Sequence, residues 1–191
     1  MSEILIKKAS EEDLKTIHDM AQVVFRHTYR EILSSEQMEY MMEMMYSMPN
    51  LRLQLMDGHH YYIAYDGNAP CGYVSVQHEG PDEDGIEVFH LHKIYVMPDS
   101  QGRGVGLKLF ETAVAHVRDV AQGSHARIEL NVNKYNKAVD FYRHLGMRVL
   151  VEEDFPIGNG FYKTDYIMGL DVDDAKKSLK KYCIIEKMLN L

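Results

Sequence analysis

Glu87-Val-Phe-His-Leu-His-Lys-Ile-Tyr-Val96, followed at once by Met97-Pro-Asp-Ser-Gln-Gly-Arg-Gly-Val-Gly106, is the stretch that decides the fold. The first ten residues are rich in β-branched and aromatic side chains and form the longest strand-like segment of the chain, the natural centre of a sheet. The glycine-rich turn then passes directly into Leu107, Phe110, Val114 and Val117 at helical spacing. A strand, a glycine loop and a helix in that order aim the backbone amides around Gly102, Gly104 and Gly106 into a concavity at the positive end of a helix dipole, which suits a phosphate. A dinucleotide fingerprint needs GxGxxG, but counting from Gly102 or Gly104 the last position holds Leu107 or Leu109. Walker A fails too, because Lys108 is followed by Leu109 and stands at the wrong distance from the glycines.

Outward from this stretch the chain alternates strands and helices. Ile4–Lys8 reads as a strand, and Ser10-Glu-Glu-Asp13 opens a helix with Leu14, Ile17, Met20, Ala21 and Val24 inward. A second helix is predicted from Ser34-Ser35, with Met38, Met41, Met42 and Met45 as its inner stripe and Pro49 as its stop. Tyr61–Tyr65 and Cys71–His78, separated by Asp66-Gly-Asn-Ala-Pro70, predict an antiparallel hairpin. Glu79–Gly85 reads as an acidic loop. Beyond the glycine loop a strand is expected at Arg127–Val132, a helix over Asn136–Leu145 closed by Gly146, and a strand pair at Met147–Val151 and Thr164–Leu170.

The 191 residues carry 21 Lys and Arg against 29 Asp and Glu, a net charge of −8. A chain of this length buries roughly 70% of its unfolded surface and needs no disulfide or structural metal to hold a core. Cys71 and Cys183 lack CxxC spacing and read as reduced, packed thiols, an expectation that places the protein in the cytoplasm. No apolar run is long enough for a membrane span, and the three-residue run near the N-terminus is too short for a signal peptide. The acidic balance argues against a nucleic-acid partner, so small or cationic partners fit better. His90-x-His92 with His59, His60 or His78 leaves a third metal ligand unsupplied by spacing, and no metal is expected.

Gln101-Gly-Arg-Gly-Val-Gly106 matches Q/R-x-x-G-x-G/A, and here the sequence resembles the GCN5-related N-acetyltransferase (GNAT) superfamily. The likeness extends to Ile94-Tyr-Val96 with Pro98, and to Asn133-Lys-Tyr-Asn136-Lys-Ala-Val-Asp-Phe-Tyr142-Arg-His-Leu-Gly146-Met147, similar to the family's second signature. Met147, where the family usually has Phe, is a conservative departure. The resemblance implies an α/β (α+β) GNAT acyl-CoA N-acyltransferase fold, with a mixed, mostly antiparallel sheet flanked by helices, over residues 1–172. It implies acetyl-CoA as co-substrate, its pyrophosphate on Gln101, Gly102, Arg103, Gly104, Val105 and Gly106. The pantetheine arm would pair along Ile94, Tyr95 and Val96, with the acetyl carbonyl on a backbone amide near Ile94. Asn136 is the expected CoA contact, with Asn133 as the alternative.

Direct attack by an amine in a ternary complex needs a neutral amine, a polarised carbonyl and a proton for the leaving thiolate. The resemblance gives the last task to Tyr142, whose other reading is a core tyrosine beside Phe141. Family members often carry a Glu early in the central strand. Here the comparable positions hold His90 and His92, two apart and so expected on one face, with the pKa range of a base. Their other reading is a satisfied pair of sheet histidines.

Phe25–Tyr29, Ser34–Tyr40 and Phe161–Met168 look like the PaiA-type spermidine/spermine acetyltransferases. On that likeness Tyr29, Glu31, Glu36 and Glu39 are the expected substrate contacts, and acidic residues steer a polycation toward the site; a solvated acidic face is the plainer reading. The methionines around Met41 either pack the core or line an apolar wall. The tail, residues 173–191, reads as a basic amphipathic helix that covers its own domain or forms a homodimer. Two other functions stay open: acetylation of a protein N-terminus or lysine, and a CoA-binding sensor without turnover.

Overall fold

The structure, a computed structural model, describes residues 3–173. These residues form two compact units: one holds residues 3–77 together with His92–Ala113, the other His78–Leu91 together with residues 114–173. Apart from Asp173, the expected tail helix, Cys183 included, lies outside the described residues.

The elements are β1 (Ile4–Lys8), α1 (Leu14–Tyr29), α2 (Ser35–Tyr46), α3 (Met48–Met56), β2 (His60–Asp66), β3 (Ala69–Pro81), β4 (Glu87–Val96), α4 (Val105–Ala121), β5 (Ala126–Asn133), α5 (Ala138–His144), β6 (Arg148–Gly158) and β7 (Phe161–Asp171). Among the described residues the seven strands form one mixed sheet in the order β1-β2-β3-β4-β5-β7-β6, with β4 in the middle as its composition predicts. β1–β2, β2–β3, β5–β7 and β7–β6 pair antiparallel, whereas β4 and β5 run parallel from Glu87↔Ala126 to His90↔Glu129. A parallel neighbour requires a crossover, and α4 provides it.

In the first unit, Leu14, Ile17, Ala21 and Phe25 of α1 are fully buried together with Tyr46, Leu51, Tyr61, Ile63 and Tyr73. Each Leu, Ile or Phe among them contributes about 1.5–3 kcal/mol by leaving water. The Ser10 N–H donates to the Asp13 carboxylate at 2.8 Å, fixing the entry to α1. Ser34 caps α2 by accepting from the Gln37 N–H at 3.1 Å. Met38, Met41 and Met42 are buried, so for these three the packing reading holds. In the second unit, alternate residues of β5, Ala126, Ile128, Leu130 and Val132, are buried.

Several boundaries differ from the sequence expectation. Pro49 does not stop α2; that helix ends at Tyr46 because Ser47 is extended (ψ 147°), and Pro49 lies in the first turn of an unforeseen helix, α3, where its missing N–H costs nothing. The acidic loop is shorter than Glu79–Gly85: β3 continues through Pro81, and the Asp82 carboxylate then closes the turn by accepting from Asp84 and Ile86 N–H at 3.0 and 2.9 Å. α5 starts at Ala138 rather than Asn136. β6 and β7 extend to a two-residue turn at Asn159-Gly160, both at positive φ (52° and 76°), a hairpin signal visible in the sequence.

Candidate active site

The turn between β4 and α4 is shaped by its backbone. After β4 the chain makes a 3-10 turn over Pro98–Ser100, where the Ser100 N–H donates to the Met97 carbonyl at 2.8 Å. Gln101 Nε2 reaches back to the Val96 carbonyl at 3.3 Å. Gly102 and Gly104 adopt φ of +72° and +74°, a region that costs other residues about 1–2 kcal/mol. A Cβ at either position meets nothing within 4 Å, so conformation rather than crowding requires glycine there. The 17-residue α4 begins at Val105 with no acidic side chain in its first turn, so nothing on the helix opposes the positive end of its dipole. Gln101 and Gly102 are exposed, whereas Val105 is buried. Ile94, Tyr95 and Val96 are half-buried at the end of β4.

The second signature lies in the other unit. Asn133 ends β5, and its Oδ1 accepts from the Tyr135 N–H at 3.0 Å. Asn136 Oδ1 accepts from the Ala138 N–H at 2.9 Å at the start of α5. Each asparagine thus spends its carbonyl on shaping the β5–α5 turn and retains an amide NH₂ to donate. Tyr142 is buried on α5 beside Phe141, ring centroids 5.5 Å apart. Gly146, φ +93°, ends the helix as expected, and Met147 is buried.

The two histidines have different neighbours. His90 Nδ1 is 3.7 Å from Glu79, whose carboxyl is pushed up by burial and by the nearby charge of Glu129. His92 Nε2 lies 2.8 Å from Gln77 Oε1, and its ring stands 4.2 Å from that of the buried His59. Among the described residues no three His, Cys, Asp or Glu side chains gather as metal ligands, and no helix is long and apolar enough to cross a membrane.

The family model for GNAT acetyltransferases matches residues 24–147, which include the central strand, the glycine loop and the second signature. The chain belongs to the GNAT acetyltransferase family. It is 27% identical over 176 residues to an uncharacterized N-acetyltransferase in the pepI 3′ region of Lactobacillus delbrueckii subsp. lactis, covering 88% of this chain and 97% of that one. Among solved structures it is similar to the PaiA N-acetyltransferase of Thermoplasma acidophilum in complex with coenzyme A (TM-score 0.69, 23% identity, 88% and 99% of the two chains). It is similar also to the ribosomal-protein-S18-alanine N-acetyltransferase of Escherichia coli (TM-score 0.64, 16% identity, 89% and 94%). This GNAT chain is therefore an acetyl-CoA-dependent N-acetyltransferase.

Around the GNAT strand β4 lies a buried polar layer that the sequence reading missed. Lys93 is only 6% exposed; its Nζ donates to Gln54 Oε1 at 2.5 Å and stands 5.4 and 5.7 Å from the Tyr61 and Tyr46 ring centroids. Burial, with no carboxylate offsetting it, pushes the Lys93 ammonium down to about 7. The Tyr61 hydroxyl donates to the same Gln54 oxygen at 2.5 Å, and the Tyr73 hydroxyl donates to that of Tyr46 at 3.0 Å. Burial pushes all three phenols up, so they remain neutral donors. The pattern Leu91-x-Lys93-x-Tyr95 held the signal: a lysine at an alternating position between two apolar residues of the central strand.

The acceptor-side candidates are also placed. Tyr29 is half-buried at the end of α1, its ring 4.5 Å from Phe25 and its hydroxyl 3.5 Å from that of Tyr95. Glu39 accepts a two-pronged contact from Arg26, which holds its carboxyl below the usual range. Glu31 is 3.4 Å from the Arg30 guanidinium, and Glu36 is exposed in the first turn of α2. Cys71 is buried, and burial pushes its thiol up, which suits an inert packed side chain.

Proposed function

We propose that this N-acetyltransferase acetylates a primary amine of the polyamine class, such as spermidine or spermine, by direct attack on acetyl-CoA. The observation that carries the donor half is the glycine loop, with two left-handed glycines before a helix whose first turn bears no acid. In this reading the loop amides hold the pyrophosphate, the backbone near Ile94 polarises the acetyl carbonyl, and Asn136 or Asn133 donates to the cofactor. The acceptor amine loses its proton to His90 or His92. Its nitrogen then forms the new C–N bond to the acetyl carbon, the C–S bond breaks, Tyr142 gives the departing thiolate its proton, and the second proton shed by the new amide nitrogen returns to the Tyr142 phenolate through solvent. Tyr29 and the carboxylates Glu31, Glu36 and Glu39 receive the cationic acceptor.

A specific observation favours a second acceptor class. Arg26 and Arg30 already sit on Glu39 and Glu31, so the face offers a polycation less unspent negative charge than the sequence suggests. A peptide N-terminus, with a single positive charge, needs less. CoA release from acetyl-CoA, measured with spermidine, spermine, short diamines and peptides with free N-termini, separates the two. Saturable turnover with spermidine supports the polyamine reading, and turnover with peptides alone overturns it.

A further inference from the structure

The β2–β3 hairpin meets the glycine loop and the two elements that flank it at three points. Arg103, inside the loop, places Nη1 2.7 Å from Oδ2 of Asp66, the last residue of β2; the two side chains are 32% and 22% exposed. Where β4 gives way to the loop, the Met97 N–H donates to the Cys71 carbonyl at 2.9 Å. At Gly72 a Cβ would fall 2.7 Å from the Tyr95 carbonyl oxygen, 3.1 Å from Leu109 Cδ1 and 3.4 Å from Val105 Cγ1. Gly72 is glycine because of close approach, since its φ is not left-handed. The tight turn at Gly67-Asn68 therefore brings two chain segments against the strand before the loop, the arginine within it and the first turns of the helix after it.

A guanidinium in a loop that takes a pyrophosphate is ordinarily assigned to the phosphate. Here that charge is matched by a carboxylate of the hairpin, at the distance of a charge-assisted hydrogen bond. A loop with two left-handed glycines is costly to order when a ligand arrives, and an anchor in its middle reduces that cost.

We propose that Asp66 is a positioning residue for donor binding: by holding Arg103 it pins Gln101–Gly106 in the conformation that presents its amides to a pyrophosphate, and Arg103 is a strut rather than a phosphate ligand. This inference rests on the acetyl-CoA reading of the loop.

Calorimetric titration of CoA and of 3′-dephospho-CoA into wild type, Asp66→Asn, Arg103→Met and the double variant tests it. Each single change is expected to weaken both ligands about fivefold, the scale of one partly buried ion pair. The double variant is expected to be no weaker than either single one, because both remove the same interaction. In steady-state assays Asp66→Asn raises the KM for acetyl-CoA by the same factor while kcat at saturation holds, and Asp66→Glu recovers most of the loss. Arg103→Met reads the same pair from the loop side if Asp66→Asn folds poorly. Asp66→Asn binding as tightly as wild type or tighter, losses that multiply in the double variant, or a loss confined to CoA and absent with 3′-dephospho-CoA would each overturn the proposal. A wild type that binds neither ligand would overturn the donor reading itself, a result distinct from tight binding that ignores Asp66.

Discussion

The glycine loop and the layer around Lys93 belong to the same compact unit, and they are built in opposite ways. In the loop the working groups are backbone amides, the residues themselves lie at the surface, and two glycines at positive φ set the shape. Around Lys93 the working groups are side chains sealed from water: one amine, one amide and the hydroxyls of Tyr46, Tyr61 and Tyr73. The loop derives its chemistry from conformation, so it tolerates exposure and resists any residue with a Cβ. The layer derives its chemistry from dielectric, so the same lysine would be an ordinary cation one residue earlier on the strand.

The largest expected effect lies in that buried layer. The Lys93 ammonium titrates near 7 in the folded chain and at 10.5 in the unfolded one, so between those pH values the unfolded state binds more protons. Lys93's contribution to stability is therefore greatest above 10.5 and is lost as pH falls toward 7, by an amount of the order of 4 kcal/mol. Lys93→Met removes the titrating group: denaturant melts are expected to show a variant more stable than wild type at pH 7, with a flattened slope from pH 7 to 10. An unchanged slope would mean that the lysine is solvated and that the contrast between the two regions is false.

Next in size is Tyr142→Phe, which retains the buried ring and removes only the proton. Turnover is expected to fall about 100-fold while acetyl-CoA affinity stays within twofold, because a general acid is worth roughly 10²–10⁴ in rate. Equal turnover would return Tyr142 to the core.

The smallest effect concerns exposed charge. Glu39 is already committed to Arg26, so Glu39→Gln should alter the KM for spermidine by less than about threefold, and less still at high salt. A tenfold rise would show that the acceptor displaces Arg26, and would strengthen the polyamine reading at the expense of the peptide one.

These differences track what was legible in the sequence. The central place of β4, the glycine loop and the α5 stop at Gly146 were readable because each depends on local pattern: alternation, glycines at fixed spacing, a helix-ending glycine. α3 was not, because Pro49 reads as a stop unless one sees that Ser47 already broke the helix and left the proline at a permitted first turn. Lys93 was not, because its chemistry comes from Tyr46, Gln54 and Tyr61, which approach it only in the folded chain. The acidic acceptor face was legible as composition, but the Arg26–Glu39 pairing across α1 and α2 was not. The Asp66–Arg103 contact joins a hairpin turn to a loop 37 positions on, a separation that no local pattern spans.

The most direct test of the donor site is a calorimetric titration of acetyl-CoA into wild type and Gly104→Val, without any amine. A β-branched residue at φ +74° is strongly disfavoured, so the loop must leave its shape, while the absence of any atom within 4 Å of the new Cβ spares the packing. One saturable site in wild type, weakened at least 100-fold in Gly104→Val with the melting temperature lowered by only a few degrees, is the predicted result. Equal affinity in the two proteins would mean that the loop amides do not hold the cofactor, and would contradict the account at its base.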